Sequence, residues 1–594
     1  MAVVGFPRRI AVGARHAVPS AAGASHSPSA GQLYFTPRSI PLSSNIEKRD
    51  SIELTRRRFL EAGVGAGAAS LALPVLLPVE RNDAAAPEPK PFDLDEITVA
   101  ELQEGMQSGK FTSRSIVQKY LGRIEAIDKR GPALNSVIEL NPDALSIADS
   151  MDAERKAKGP RGPMHGIPVL LKDNIGTADK MMTTAGSLAL LGFTPEKDSS
   201  VAQRLRESGA VILGKTNLSE WANFRSSHSS SGWSGRGGQT RNPYALDRNP
   251  CGSSSGSGAA VAANLCAVTV GSETDGSVVC PSSANGVVGI KPTVGLVSRS
   301  GIIPISHTQD TAGPICRTVA DAAALLSAMA GIDPADSATE ASRGKAQPDY
   351  TKFLDRNGLR GARIGVIRKF FDFSDGFGPL METLLDIMKS EGAVLVDPVE
   401  IDSIGKFDKS EFEAMQYEFK AGLNAYLAAA GPKVPVHSLK EIIEFNEKNR
   451  EKEMPFFGQD IMLKSEAKGP LTDKAYLDAL EKNGRLSREE GIDAAMAKHQ
   501  LDALLAPTAG PSWLTDHVTG DHDTGGSSSL AAVAGYPNIN VPAGFMFGMP
   551  VGISFFGRAW SEPTLIKIAY AFEQATRARK PPKFLATVEM GSGR

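Results

Sequence analysis

VAQRLRESGAVILGKTN, residues 201–217, admits two readings, and the choice between them sets the fold. Its second half, Gly209 to Thr216, satisfies the phosphate-loop pattern G-x-x-x-x-G-K-S/T, which would make the chain a nucleotide-binding protein. A phosphate loop needs its strand before the first glycine and a helix after the lysine. Here Val211, Ile212 and Leu213 occupy the loop positions where bare backbone should wrap a phosphate. The stretch therefore reads as a helix, with Val201 and Leu205 on one face, followed by the apolar strand AVIL. Upstream, HGIPVLLKDNI (165–175) is a short apolar strand ending at Lys172. Downstream, ARIGVI, a helix around Leu380, Leu384 and Ile387, and the strand AVLV repeat strand, helix, strand. That rhythm predicts a single α/β domain whose sheet is covered by helices on both faces.

The flanks fit this frame. T98-V-A-E101 reads as a capping box, and Val117, Leu121 and Ile124 recur at helical spacing, so two helices open the domain. From about Asp402 to Ala497 the pattern turns helical and charged, with S410-E-F-E413 as a second capping box, and predicts an inserted helical segment. NINVPAG and PVGISFFG predict closing strands, and SEPTLIKIAYAFEQATRAR a final helix.

The 594 residues are 41% apolar with a net charge of -2, enough for a large core and without a long basic tract for nucleic acid. A small or peptide substrate is the expected partner. Cys251, Cys266, Cys280 and Cys316 are too few for a disulfide scaffold and have no C-x-x-C spacing; they are read as buried thiols. No cluster of His, Cys or carboxylates suggests a metal, and no cofactor is expected. TRRRFLEAG, from Thr55, leads into AGVGAGAASLALPVLLP and then AAAP, so residues 55–86 are expected to be a twin-arginine signal with cleavage after about Ala86 and export to the periplasm or medium. The apolar stretch is short for a stable membrane span. Residues 1–54 are expected to be an extension outside the fold; residues 1–46 hold no Asp or Glu, a composition also seen in organelle transit peptides.

TDGSVVCPSS, from Thr274, puts Ser277 in a small-residue turn with no acid-base partner beside it. A serine nucleophile needs a base within reach, and a lysine serves when burial disfavours its ammonium form. Lys172, at the end of an apolar run, meets that demand. The small residues of PCGSSSGSGAAVAAN and GSETDGS let backbone N–H groups approach a substrate and face a developing oxyanion. GSSSG (252–256) also satisfies G-x-S-x-G around Ser254, but a nucleophile elbow needs an apolar strand ahead of it, and TRNPYALDRNPC is a loop. A Ser-His-Asp hydrolase using His517 or His522 and Asp502 is the competing reading.

GIPVLLKDNI, RNPYALDRNPCGSSSGSGAAVAA, GSETDGSVVCPSSANGVVGIKPTVGLVS, DTAGPICRTVADAAALL and GYPNINVPAGFMFGMPVGISFFGR together resemble the amidase signature family, over roughly residues 95 to 580. The resemblance implies that family's mixed sheet within residues 87–594, and hydrolysis of amides to acid and ammonia by a Ser-cisSer-Lys triad. Ser277 stands where the family keeps its nucleophile, Ser253 where it keeps a bridging serine on a cis peptide bond, and Lys172 where it keeps the base. Backbone N–H groups at Thr274, Asp275 and Gly276 would form the oxyanion hole. The chain departs from the common GGSSGGS and GTDTGGS: Cys251, Ser255 and Asp275 replace glycines.

Within the family, SEWANFR, SGWSGRGGQTRNPY, CGSSSGS and SETDGS are most similar to peptide amidases, which remove the C-terminal amide of peptides. Trp221, Phe224, Arg225 and Trp233 are read either as lining the acyl side of the pocket or as core packing. The alternatives are a general aliphatic or aryl amidase, an amidotransferase subunit releasing ammonia from glutamine, and a non-catalytic protein on the same fold.

Overall fold

A computed structural model describes residues 92–373, 376–523 and 525–588; the expected extension and leader lie outside them. The strands are β1 (Val137–Leu140), β2 (Pro168–Lys172), β3 (Val211–Thr216), a two-residue hairpin of β4 (Trp233–Ser234) and β5 (Gly238–Gln239), β6 (Val268–Glu273), β7 (Val288–Lys291), β8 (Thr311–Cys316), β9 (Arg363–Val366), β10 (Val394–Val396), β11 (Ala503–Pro507), β12 (Asn538–Met546) and β13 (Met549–Phe556). All but the hairpin join one eleven-stranded sheet in the order β1-β3-β2-β6-β8-β7-β12-β13-β11-β9-β10. β3, β2 and β6 run parallel, as do β11, β9 and β10, and the strands between them are antiparallel. The sheet is thus mixed, as the resemblance implies.

Both parallel strands of the opening motif are buried at every residue. That is why their sequences are continuous apolar runs rather than alternating ones. β3 takes up Val211 to Thr216, so the phosphate-loop reading fails structurally: the Lys215 amine is buried on Ile175 O at 2.6 Å and Thr183 Oγ1 at 2.8 Å. The helix before it spans Ser200–Glu207 with Val201 and Leu205 buried. Thr98 and Glu101 form the expected capping box of the helix Val99–Gln107. Ser410 does not cap. The helix there starts at Asp408, and the Ser410 hydroxyl donates to Phe407 O at 2.8 Å instead of accepting from residue 413.

Helices Asp408–Ala429, Leu439–Lys448, Arg450–Glu453, Asp460–Glu466, Lys474–Gly484 and Asp493–His499 make up the helical stretch. It docks on the loops around the site through Phe419, Leu423, Ile442 and Met462, packed with Leu190, Trp221 and Phe224. Arg225 pins this junction. Fully buried, it donates to Glu220 Oε1 at 2.7 Å and to the Glu453 carbonyl, with its guanidinium 4.2 Å from the Phe457 ring centroid and 5.1 Å from that of Trp233. Removing one partner of such a pair leaves a buried charge uncompensated. Arg225→Met is expected to cost about 3–5 kcal/mol, read as a lower midpoint in urea unfolding. A midpoint equal to wild type would mean the cluster contributes no net stability.

Candidate active site

Lys172 is the last residue of β2, between β3 and β6, and its side chain is fully buried. Its Nζ lies 2.7 Å from Ser253 Oγ, 3.1 Å from Ser272 O and 3.0 Å from Ser272 Oγ. Asn174 Nδ2 donates to the same Ser272 hydroxyl at 2.9 Å. A neutral amine has two N–H bonds and one lone pair. If both N–H bonds of the neutral form go to Ser272, its lone pair is left for the Ser253 hydroxyl, whereas the ammonium form donates to all three oxygens. Burial lowers the Lys172 pKa to about 7, and the nearby carboxylates Asp310 and Glu273 oppose that shift. The neutral form is therefore well populated near pH 7.

Ser253 follows a cis Gly252–Ser253 peptide, and its carbonyl accepts from Ser219 N at 3.1 Å. Ser254 N donates to Ser277 O at 3.2 Å, which holds the two serine segments side by side. No hydrogen bond joins Ser253 Oγ to Ser277 Oγ among the described residues. Cys251 and Cys280 flank these serines and are joined in a disulfide, Cα to Cα 6.1 Å. This corrects the reading of four thiols. The packing of the loop at Cys251 against the helix Val279–Ala284, which no spacing encodes, brings residues 29 apart together. Cys266 and Cys316 are buried free thiols.

The turn from Thr274 to Ser277 leads from β6 into the helix Val279–Ala284. Gly276 has φ 75°, and a Cβ there would lie 3.0 Å from Ser528 Oγ, so both conformation and space call for glycine. None of the backbone N–H groups from Thr274 to Ser277 has a protein acceptor among the described residues. Those of Val278 and Val279 do: Glu273 Oε2 reaches back across the turn to accept both, at 2.7 and 3.1 Å. Glu273 was not legible as a site residue, because an acid three positions before the glycine of a turn carries no distinctive pattern. Thr274 Oγ1 donates to Asp310 Oδ1 at 2.6 Å, while Asp310 Oδ2 accepts from Ile305 N and Ser306 N; burial raises the Asp310 pKa to about 6. The Asp275 carboxylate is occupied by the Ser528 and Ser529 hydroxyls, each at 2.6 Å.

Ser277 opens onto a cavity of about 500 Å³ whose wall includes Phe224, Gly252, Asp275, Met415, Trp513 and Ser528. Phe224 thus reaches this cavity, whereas Trp221, Arg225 and Trp233 are packed inside. The Ser-His-Asp arrangement is not assembled. Ser254 Oγ bonds to Ser272 O and N, His517 stacks on Phe456 at 4.1 Å, His522 bonds to Thr519, and Asp502 accepts from Arg363 N. Ser254 begins a helix with a loop before it, so the strand that raises a nucleophile elbow is missing. Among the described residues no group of three or more His, Cys, Asp or Glu is placed to hold a metal, and no helix is long and apolar enough to cross a membrane.

The Amidase family model matches residues 115–566. The crystal structure of the native peptide amidase from Stenotrophomonas maltophilia superposes with a TM-score of 0.80 at 54% identity, over 83% of this chain and 100% of that one. A probable amidase of Arabidopsis thaliana is 47% identical over 504 residues, 83% of this chain and 93% of that protein. A glutamyl-tRNA(Gln) amidotransferase subunit of a Synechococcus strain is 33% identical over 82% of this chain and 99% of its own length. With the matched segment spanning most of the described residues, the chain belongs to the amidase family and is a hydrolase of carbon–nitrogen bonds in linear amides.

Proposed function

We propose that this amidase removes the C-terminal amide of peptides through a Ser277–Ser253–Lys172 relay. The observation that carries the reading is the lodging of Lys172: buried, with its Nζ 2.7 Å from Ser253 Oγ and within hydrogen-bond reach of Ser272 O and Oγ, so that a neutral amine giving its two N–H bonds to Ser272 would turn its lone pair to Ser253. Ser277 Oγ attacks the amide carbonyl while its proton passes through the Ser253 hydroxyl to neutral Lys172. The carbonyl oxygen becomes an oxyanion that accepts from the unpaired N–H groups at Thr274, Asp275 and Gly276. The proton then returns to the departing ammonia, leaving an ester on Ser277. Water attacks that ester, giving its proton to Lys172 by the same route; the C–Oγ bond breaks, the proton returns through Ser253 to the Ser277 oxygen, and the acid is released. Peptide as the acyl group is favoured by the 54% identity to the peptide amidase of Stenotrophomonas maltophilia and by a cavity large enough for several residue-sized groups.

The test is ammonia release by the full chain from a panel of amidated peptides, the same peptides as free acids, simple aliphatic and aryl amides, and glutamine. Release from amidated peptides with internal peptide bonds spared is the expected result. Cleavage of simple amides alone would make the chain a general amidase, and cleavage of glutamine alone would favour the amidotransferase-like reading. Activity is expected to be unchanged in EDTA, since every step is assigned to side chains and backbone; loss on chelation, restored by a metal, would overturn the relay.

A further inference from the structure

Asp275 departs from the glycine common at its position, and the relay leaves its side chain without a chemical task. The carboxylate does not stand free. Ser528 and Ser529 each donate to it at 2.6 Å, from the helix Ser528–Ala534. A second carboxyl, that of buried Glu411, lies within hydrogen-bond reach of it, carried on the helix Asp408–Ala429. Gln309 ties the same group to the turn, donating through Nε2 to Glu411 Oε1 at 2.9 Å and to Thr274 O at 3.4 Å. One helical turn beyond Glu411, Met415 forms part of the wall of the Ser277 cavity. Two carboxyl groups held this close, away from water, share one proton.

We infer that Glu411 is a positioning residue for the reaction: its protonated carboxyl donates to Asp275 and, with Gln309, Ser528 and Ser529, holds the Thr274–Gly276 turn where its N–H groups can meet the oxyanion. This rests on the reading of that turn as the oxyanion site. The charged groups facing the pair are Glu273 and Lys291 from the sheet and Asp408 from Glu411's own helix. Burial and the neighbouring Asp275 hold the Glu411 pKa well above the ordinary carboxylate range, so the pair keeps its shared proton beyond the pH at which a free carboxyl gives it up. Raising the pH removes it, sets two carboxylates against each other, and loosens the turn. The rate should therefore rise as Lys172 loses its proton and fall again in alkali as the pair loses its own.

The experiment measures kcat, KM and the pH profile on whichever amide the wild type cleaves, with folding checked by thermal unfolding. Glu411→Ala is expected to lower kcat about 100-fold with KM within about threefold, the scale of losing one oxyanion donor. Glu411→Gln keeps a donor toward Asp275 and an acceptor for Gln309 but has no proton to lose. It is expected to recover most of that rate and to remove the alkaline fall. The double variant Ser528→Ala, Ser529→Ala takes two donors from Asp275, makes the pair hold its proton more tightly, and is expected to move the alkaline fall to higher pH; it decides the matter if Glu411→Ala does not fold. A Glu411→Ala rate equal to wild type, a Gln variant as poor as the Ala variant, or an alkaline fall unmoved in both Glu411→Gln and the double serine variant would each overturn the inference. Ser277→Ala, run alongside, separates the two readings. If it is active, the catalytic assignment falls. If it is inactive while Glu411→Ala behaves as wild type, only the clamp falls.

Discussion

Ser277→Ala is expected to lose amide hydrolysis by a factor on the order of 10⁴ to 10⁶ while unfolding at the wild-type temperature. The size follows from what the hydroxyl is proposed to do: it alone forms the bond to the carbonyl carbon, and removing the nucleophile of a unit costs about as much as removing the whole unit. What survives is the pull of the turn's N–H groups on substrate, too little to bring water into line. Stability should be spared because the Ser277 side chain makes no protein hydrogen bond to lose among the described residues; the segment is held by its carbonyl, which accepts from Ser254 N, and by Glu273 across the turn. Single-turnover assays on an amidated peptide, with denaturation monitored in parallel, measure both halves. A variant within tenfold of wild type would remove Ser277 from the mechanism.

Lys172→Met is expected to be nearly as inactive, by about 10³ to 10⁴, and yet no less stable than the wild type. The activity loss reflects the missing base, at the upper end of what a positioned proton acceptor contributes. Lys172→Arg should fare no better, because a guanidinium does not give up its proton. The stability expectation follows from the lowered pKa. The folded chain binds the Lys172 proton more weakly than the unfolded chain does, so burial is free of penalty above the ordinary amine range. The folded state then loses ground as pH falls toward about 7. Methionine fills the same slot without that penalty, which is on the order of a few kcal/mol at neutral pH. In the wild type, kcat/KM should fall about tenfold per unit as pH drops below about 7. A profile flat down to pH 5 would argue against a lysine base, and a Lys172→Met protein that is markedly less stable would argue that the amine is held charged.

Several of these features were legible in the sequence because they are local. Ile167 to Leu171 is a continuous apolar run, so a buried parallel strand ending at Lys172 follows from composition alone. Val211 to Leu213 exclude a phosphate loop for the same reason. Thr98 and Glu101 sit three apart and cap a helix without help from the rest of the fold. Ser410 has that spacing and fails, because the helix extends back to Asp408 and its hydroxyl turns to Phe407. What was hidden is long-range. Ser272 as the cradle of Lys172 depends on β2 lying beside β6, the Cys251–Cys280 bond on a loop packing against the helix Val279–Ala284, and Glu411's approach to Asp275 on a helix that arrives from far along the chain. The G-x-S-x-G match at Ser254 was legible as a false one, because TRNPYALDRNPC ahead of it reads as a loop; Ser254 is a helix-start residue bonded to Ser272.

The walls of the cavity matter beyond a single substrate. Lys172, Ser253, Ser272 and Ser277 come from the segment between β2 and the helix after β6, whereas Met415, Trp513 and Ser528 in the wall come from the helical stretch and from the loop and helix after β11. In the proposed relay the reacting groups thus lie on one stretch, while the wall draws on that stretch through Phe224 and Gly252 and on later parts of the chain as well. Substitutions in the later wall elements would leave the residues of the proposed relay in place. A lineage built this way can yield relatives named as a peptide amidase and as part of an amidotransferase, and the same division makes the wall the place to begin when the enzyme is to be turned to a new amide.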